Sequence, residues 1–259
     1  MEEQMRYMKW ILAALLAVTT LVYAGNGLLE RLSGRDDAPR ITCGEEILEV
    51  SIHSDDAALL AGVTAEDDQD GDLTDRIIVG GVSKLIGGNT AKVTCMVFDS
   101  DDNMASVVRT VRYTDYRRPV ISLKAPMIYE STKDAKLLKV IEVTDTLDGD
   151  LSDQARVSTL WATEDERVYS ATILVTNSMG DTATVEVPVI IGQGLGSIRL
   201  KQQILYLEQG SAFDPKAQVA SDRTGVTVDS QVNVDEPGCY WVWYHKNDGD
   251  LAILTVVVE

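Results

Sequence analysis

The chain has 259 residues and a formal charge of −18. A surface of that sign repels nucleic acid and anionic lipid, which argues against both as partners. Two Phe against nine Tyr, with many Val, Thr and Ile, favour strands over helices.

Residues 10–24 carry no charge, and the apolar stretch 10–27 approaches the ~17–25 residues needed to span a bilayer. Tyr7, Trp10 and Tyr23 stand where interfacial aromatics belong, and Lys9 can snorkel. The expectation is a cytoplasmic tail (1–9), a transmembrane helix (10–27) and a polar linker (28–38). The rest of the chain is then outside a cell membrane that it crosses once. A cleaved signal peptide is the alternative, because Val22-Tyr23-Ala24 fits the small-residue cleavage pattern. On that reading the protein is secreted.

The segment from Asp67 to Asp75 recurs from Asp145 to Asp153. The same offset carries Val97 onto Val175 and Val107 onto Val185. An ungapped match over roughly forty residues marks a duplicated module. Module one (39–115) is expected to hold strands at 40–43, 59–65, 76–82, 91–99 and 105–113. The fourth alternates, with Ala91, Val93, Cys95 and Val97 on one face. Module two (117–191) repeats this order, with Ala171, Ile173 and Val175 inward. Module three (197–259) is more diverged. Its long strand is 238–244, its tight turn Asn247-Asp248-Gly249-Asp250, and its last strand 251–258. The glycine-rich segment 192–196 before it reads as a flexible linker that lets module three swing.

Short, evenly spaced strands with polar turns imply β-sandwiches, so the expected fold is all-β, three tandem Ig-like sandwich domains. Specific motifs support this. Val63-Thr64-Ala65-Glu66-Asp67, Asp70-Gly71-Asp72-Leu73-Thr74 and the hairpin from Asp99 to Asn103 stand in module one, and the strand from Gly238 to Tyr244 stands in module three. Together they resemble the bacterial Ig-like repeat family named after a domain of pesticidal crystal proteins. Asp102 replaces the family's hairpin Gly, and module two lacks the Gly before Tyr169. The resemblance implies a bacterial cell-surface protein of Ig-like fold with no catalytic residues.

In such a sandwich the turns after the second and sixth strands meet at one pole. That predicts a cluster of Asp67, Asp70, Asp72, Asp99 and Asp101 in module one. In module two it predicts Asp145, Asp148, Asp150 and Asp181. Clustered carboxylates repel unless a cation or basic side chain intervenes, and oxygen clusters suit Ca²⁺. Asp115 in the linker is placed to join the second cluster. The alternative is turn chemistry alone, because Asp caps its own backbone amides. Arg76, Arg117 and Arg118 can supply the neutralising charge. An EF-hand is rejected, since Ile77 stands where the loop needs Glu.

Cys43 and Cys95 share inward parity in module one, which allows either a disulfide in an oxidising compartment or two small buried thiols. Cys239 is left over. In module three Tyr240, Val242 and Tyr244 face one way, and Trp241, Trp243 and His245 the other. Adjacent exposed tryptophans can stack on a sugar ring or anchor a protein partner; the alternative is that a neighbouring module covers them. The only other histidine is His53, so a histidine-rich metal cluster is excluded. No Gly-rich phosphate loop, nucleophile elbow or Cys-x-x-Cys pair occurs.

The sequence therefore points to a non-enzymatic, membrane-anchored surface protein. Its expected role is binding or adhesion to a protein or an envelope glycan, or service as an envelope scaffold. The competing expectation is the ectodomain of a sensory or membrane-protein complex, stiffened by calcium.

Overall fold

The computed structural model describes Leu16, Thr19, Thr20, residues 38–44 and residues 47–259. The expected tail 1–9 lies outside the described residues. So do the span 10–27 and the linker 28–38, apart from Leu16, Thr19, Thr20 and Ala38. Among the described residues no helix is long and apolar enough to cross a membrane. That finding overturns the expected single-pass membrane localisation.

The described chain is all-β, with only short helical turns between strands. It divides into two compact units. The smaller holds residues 63–78 and 96–107 together with the described residues before Cys43. The larger holds 43–62, 79–95 and 108–259.

In the smaller unit, β1 (Arg40–Cys43), β3 (Val63–Asp67) and β4 (Gly71–Asp72) form a sheet in the order β1-β3-β4. Alternation along β3 buries Val63 and Ala65, and Leu73, Ile77 and Val97 are buried with them. Gly71 has φ +74°, a left-handed conformation that suits glycine in the Asp-Gly-Asp turn.

The first four-stranded sheet runs β2 (Ile47–Val50), β7 (Met104–Tyr113), β6 (Thr90–Phe98), β5 (Ile78–Val82). Residues 59–65, expected as a strand, divide in two. Asp55 accepts the Ala58 amide at 3.0 Å and caps a one-turn helix, α1 (Asp56–Leu59), and the strand starts only at Val63. The C-terminal carbonyls of that turn are capped from β7. The buried guanidinium of Arg109 donates to Ala61 O at 2.6 Å and Leu59 O at 3.4 Å.

The duplication is explicit in the topology of module two. The order β4-β3-β1 recurs as β11 (Gly149–Asp150), β10 (Ile141–Asp145), β8 (Val120–Leu123). The order β5-β6-β7-β2 recurs as β12 (Arg156–Ala162), β13 (Val168–Thr176), β14 (Thr182–Ile191), β9 (Ile128–Tyr129). Both four-stranded sheets end on a strand parallel to its neighbour, β2 on β7 and β9 on β14. The core of module two joins Ile121, Ile141 and Val143 of one sheet to Ala171, Ile173, Val185 and Val187 of the other. Alternation had assigned Ala171, Ile173 and Val175 to that face.

Module three keeps the four-stranded pattern once more, as β16 (Val226–Ser230), β17 (Gly238–Lys246), β18 (Leu251–Val258), β15 (Ile204–Leu207). Its second layer is reduced to an isolated bridge, Leu200 to Val219. Ile198, Leu200 and Val219 still cover Val242, Tyr244 and Leu254.

The expectation that module three swings on residues 192–196 is overturned. Asp250, from the tight turn before β18, is buried and accepts Gly196 N at 2.8 Å, Ile198 N at 2.9 Å and Leu251 N at 3.0 Å. It also accepts the Ser197 hydroxyl. Gly192 N donates to Tyr129 O at 2.9 Å. Val168 and Ile190 of module two share a cluster with Leu251 and Ile253 of module three. The Tyr206 hydroxyl donates to Ile121 O at 3.0 Å and accepts Ile121 N at 3.3 Å, so a side chain takes the place of a neighbouring strand beside β8. Burial pushes the Tyr206 hydroxyl up to about 12. Gly194 and Gly196 supply sharp turns here, and the amides of Gly192 and Gly196 are tied down.

Burial alone raises the Asp250 pKa. The bonds from Ser197, Gly196, Ile198 and Leu251 outweigh it, and the carboxyl is held below the ordinary value. A depressed carboxyl stabilises the fold above its unfolded value near 3.9, and that contribution fades as pH falls through the lower folded value. Asp250→Ala should therefore cost about 3 kcal/mol at neutral pH, because the strapped amides lose their acceptor. The deficit should shrink below roughly pH 4. Urea unfolding at several pH values, with proteolysis at 192–196 as a local readout, checks this.

Candidate functional site

Two features of the chain merit a chemical reading, the acidic turns and the tryptophan strand. The acidic turns use their carboxylates on local donors. In module one Asp67 accepts Gln69 N at 2.7 Å and Asp70 N at 2.8 Å. Asp70 reaches across to the next hairpin and accepts Ser100 N at 2.6 Å and the Ser100 hydroxyl at 2.8 Å, with Arg76 3.6 Å away. Asp72 accepts Thr74 N at 2.9 Å, and the hydrogen bonds of Thr74 lower its pKa. Asp99 accepts the amides of Asp101 and Asn103 and the Asn103 side chain, while Asp101 contributes only its amide.

Module two repeats this bond for bond. Asp145 caps Leu147 and Asp148, Asp148 holds Ser178 through its amide and hydroxyl, and Asp150 holds Ser152. One exchange distinguishes it. Asp99 and Asn103 of module one correspond to Asn177 and Asp181 of module two, so acid and amide trade places. Asn177 bonds Asp145 at 3.1 Å and donates to the Tyr116 hydroxyl at 2.8 Å. That hydroxyl donates to Asp181 at 2.8 Å, and Arg118 lies 3.5 Å from the same carboxylate. Burial first, and then the bond to Asp181, raise the Tyr116 pKa. The pole of module two thus grips the linker that enters it.

Asp115 was expected to join that pole. It turns back instead and accepts the Ser51 hydroxyl at 2.6 Å and Ile52 N at 2.8 Å. Among the described residues no group of three or more His, Cys, Asp or Glu side chains is placed to hold a metal ion. The geometry is that of capped turns, and the calcium expectation finds no support in it. Millimolar calcium should leave the melting temperature unchanged in a chelator-controlled scan. A rise of several degrees would return the acidic poles to cation binding.

The structure holds Cys43, Cys95 and Cys239 as thiols, the second of the two states that inward parity allows for Cys43 and Cys95. Burial raises the Cys95 pKa, Arg109 opposes this, and Cys43 adds to it. The Cys239 thiol donates to Glu186 O at 3.4 Å.

Trp241, Trp243 and His245 form a continuous strip on β17. Trp241 meets Trp243 edge-on at 6.2 Å, and Trp243 stacks on His245 at 6.1 Å with planes 8° apart. The sequence placed this strip on an outer face, and the structure corrects that by half. Trp241 Nε1 donates to Glu186 O of β14 at 3.2 Å, a carbonyl that also receives the Thr255 hydroxyl. Both indoles pack on the cluster of Val168, Ile190, Leu251 and Ile253. The side away from module two stays open. There the indoles line a shallow hollow of about 370 Å³ with Asp229, Gln231, Cys239 and Tyr240. Asp229 pairs directly across from Trp243, and it is exposed. The sequence reading missed Asp229 and Gln231. The signal available was the Val-x-Val alternation of 226–228, which marks a strand beside β17.

The hollow can hold a hydroxylated ligand that presents a flat C–H-rich face. Indole faces stack on C–H groups, and a carboxylate and an amide supply acceptors and donors at the edge.

No family model and no curated protein matches this chain. Solved structures match at low overall similarity. One is the CBM51-2 domain in complex with GlcNAc, with INT domains, from Clostridium perfringens ZmpB. It shares 18% identity over 62% of this chain and 30% of that chain, with a TM-score of 0.24. The human desmocollin-1 ectodomain shares 12% over 86% of this chain and 61% of that one, with a TM-score of 0.19. The protocadherin gammaB4 extracellular domain shares 9% over 86% and 51%, with a TM-score of 0.22. The chain thus spans under a third of the length of the ZmpB structure. Likenesses this distant contribute nothing to the functional reading below.

Proposed function

We propose that the chain is a non-catalytic binding protein built of three tandem Ig-like sandwiches (39–115, 117–191 and 197–259), of the repeat family its motifs resemble. Its ligand is a glycan held on the Trp243 shelf. The observation that carries this reading is the aromatic strip with one side open, edged by Asp229 and Gln231. Trp243 is the stacking platform. Trp241 has a double duty, since its indole N–H is already spent on Glu186 O. His245 backs Trp243 and fixes its plane. The reading involves no bond-making step and no cofactor. The strapped junction between modules two and three gives the shelf a fixed orientation, which lowers the entropic cost of binding.

A second reading, as a scaffold component that meets another protein, is favoured by a different surface. β12 is the edge of its sheet, and Leu160 and Trp161 on it are strongly exposed, Trp161 at 67%. An apolar edge strand invites strand pairing with a partner.

The test is a glycan microarray with the intact chain, followed by Trp243→Ala. Binding to at least one glycan class should fall roughly tenfold or more when the platform is lost, with circular dichroism unchanged. Array-wide silence, together with a stoichiometric protein partner lost on Trp161→Ala, would favour the scaffold reading.

A further inference from the structure

A second cavity, separate from the tryptophan shelf, lies in the larger unit where module three meets module two. It has a volume of about 280 Å³. Its floor includes Met127, Ile190, Ile198 and Ile253, all buried. No aromatic side chain lines it, so it offers no stacking platform for a sugar.

The rim has the opposite character from the rest of the molecule. In a chain of net charge −18, Lys124, Arg199 and Lys201 all line this one cavity. Lys124 is partly neutralised by Glu142 at 3.7 Å. Among the described residues Arg199 and Lys201 have no carboxylate at ion-pair distance. Their positions are not accidental. The segment alternates, so Ile198 and Leu200 turn into the core and Arg199 and Lys201 turn out. The backbone that carries them is fixed. Arg199 O accepts Ala220 N at 2.7 Å, and Lys201 N donates to Gln218 O at 2.9 Å. The Asp250 strap holds Ile198 from the other side.

We propose that this cleft binds an amphipathic monocarboxylate, an acyl chain with a free acid. The chain lies over the isoleucine floor and the carboxylate sits between Arg199 and Lys201. The size agrees. About 280 Å³ is roughly nine times the ~30 Å³ that a water occupies in the liquid, which suits a ligand of about ten heavy atoms. The charge agrees as well, since two rim cations without an ion-pair partner among the described residues gain a charge-assisted one. Pockets at domain junctions with an apolar lining and a few convergent polar groups are the usual form of small-molecule sites.

Octanoate is the probe, used below its micelle concentration, against the intact chain in calorimetry and thermal shift. Octanol tests the need for the carboxylate and acetate the need for the chain. The expected result is saturable binding of octanoate, with octanol and acetate each at least roughly tenfold weaker. The exposed pair Arg199→Gln and Lys201→Gln should fold normally and lose octanoate affinity roughly tenfold or more. Asp229→Ala, at the exposed edge of the tryptophan hollow and outside the lining of this cleft, should bind octanoate as the parent does, which separates this site from the glycan shelf. The proposal fails if octanoate does not bind, if octanol binds equally well, or if the double variant binds unchanged.

Discussion

The buried carboxylate of Asp250 decides how much of this molecule acts as one body. Three backbone amides and a hydroxyl converge on it; one donor is Gly196 at the end of the segment that joins modules two and three, and two more are Ser197 and Ile198 directly after it. A carboxylate out of water is costly unless it is fully hydrogen-bonded. Once it is bonded, the segment that supplies the donors cannot leave without exposing that cost. Gly196, in a segment that composition marks as flexible, is therefore held by an acid 54 residues downstream. The apolar cluster of Val168, Ile190, Leu251 and Ile253 then closes over the junction, and Tyr206 adds a hydroxyl paired to both backbone groups of Ile121.

Both candidate binding surfaces follow from that closure. The tryptophan strip is half covered because β14 presents the Glu186 carbonyl to it, and half open because β16 is an edge strand. The basic cleft exists because residues 196–203 are drawn against the end of module two, which lines up Arg199 and Lys201 above its isoleucines. A freely swinging module three would have neither a fixed shelf nor a cleft. The same economy governs the acidic turns. Asp70 and Asp148 each bind a serine amide and hydroxyl of the facing hairpin, so the conserved turn pattern within the chain is a fastener between the ends of two strands. Exchange of Asp99 and Asn103 for Asn177 and Asp181 frees a carboxylate in module two, and Tyr116 of the incoming linker uses it.

The strand content, the duplicated module and the inward faces are legible in the residue pattern alone. Each of these is encoded locally. Alternation over nine residues specifies a half-buried strand whatever lies on the far side, and the repeat of Asp-Gly-Asp-Leu specifies the same turn twice because Gly71 and Gly149 both need a left-handed backbone. The start of the short helix at Asp55 is equally local, but Leu59 and Leu60 after it read as strand. The partners of polar groups that meet across long sequence distances emerge only when the strands are packed. Asp115 turned to Ser51 and not to the next pole, Trp241 gave its indole N–H to Glu186, and Asp250 fixed a glycine segment that composition marks as loose. A carboxylate in a turn has the same sequence signature whether it faces a cation, an arginine or three amides. Which of these satisfies it depends on how neighbouring modules pack, and that is set by burial energies summed over residues far apart in the chain.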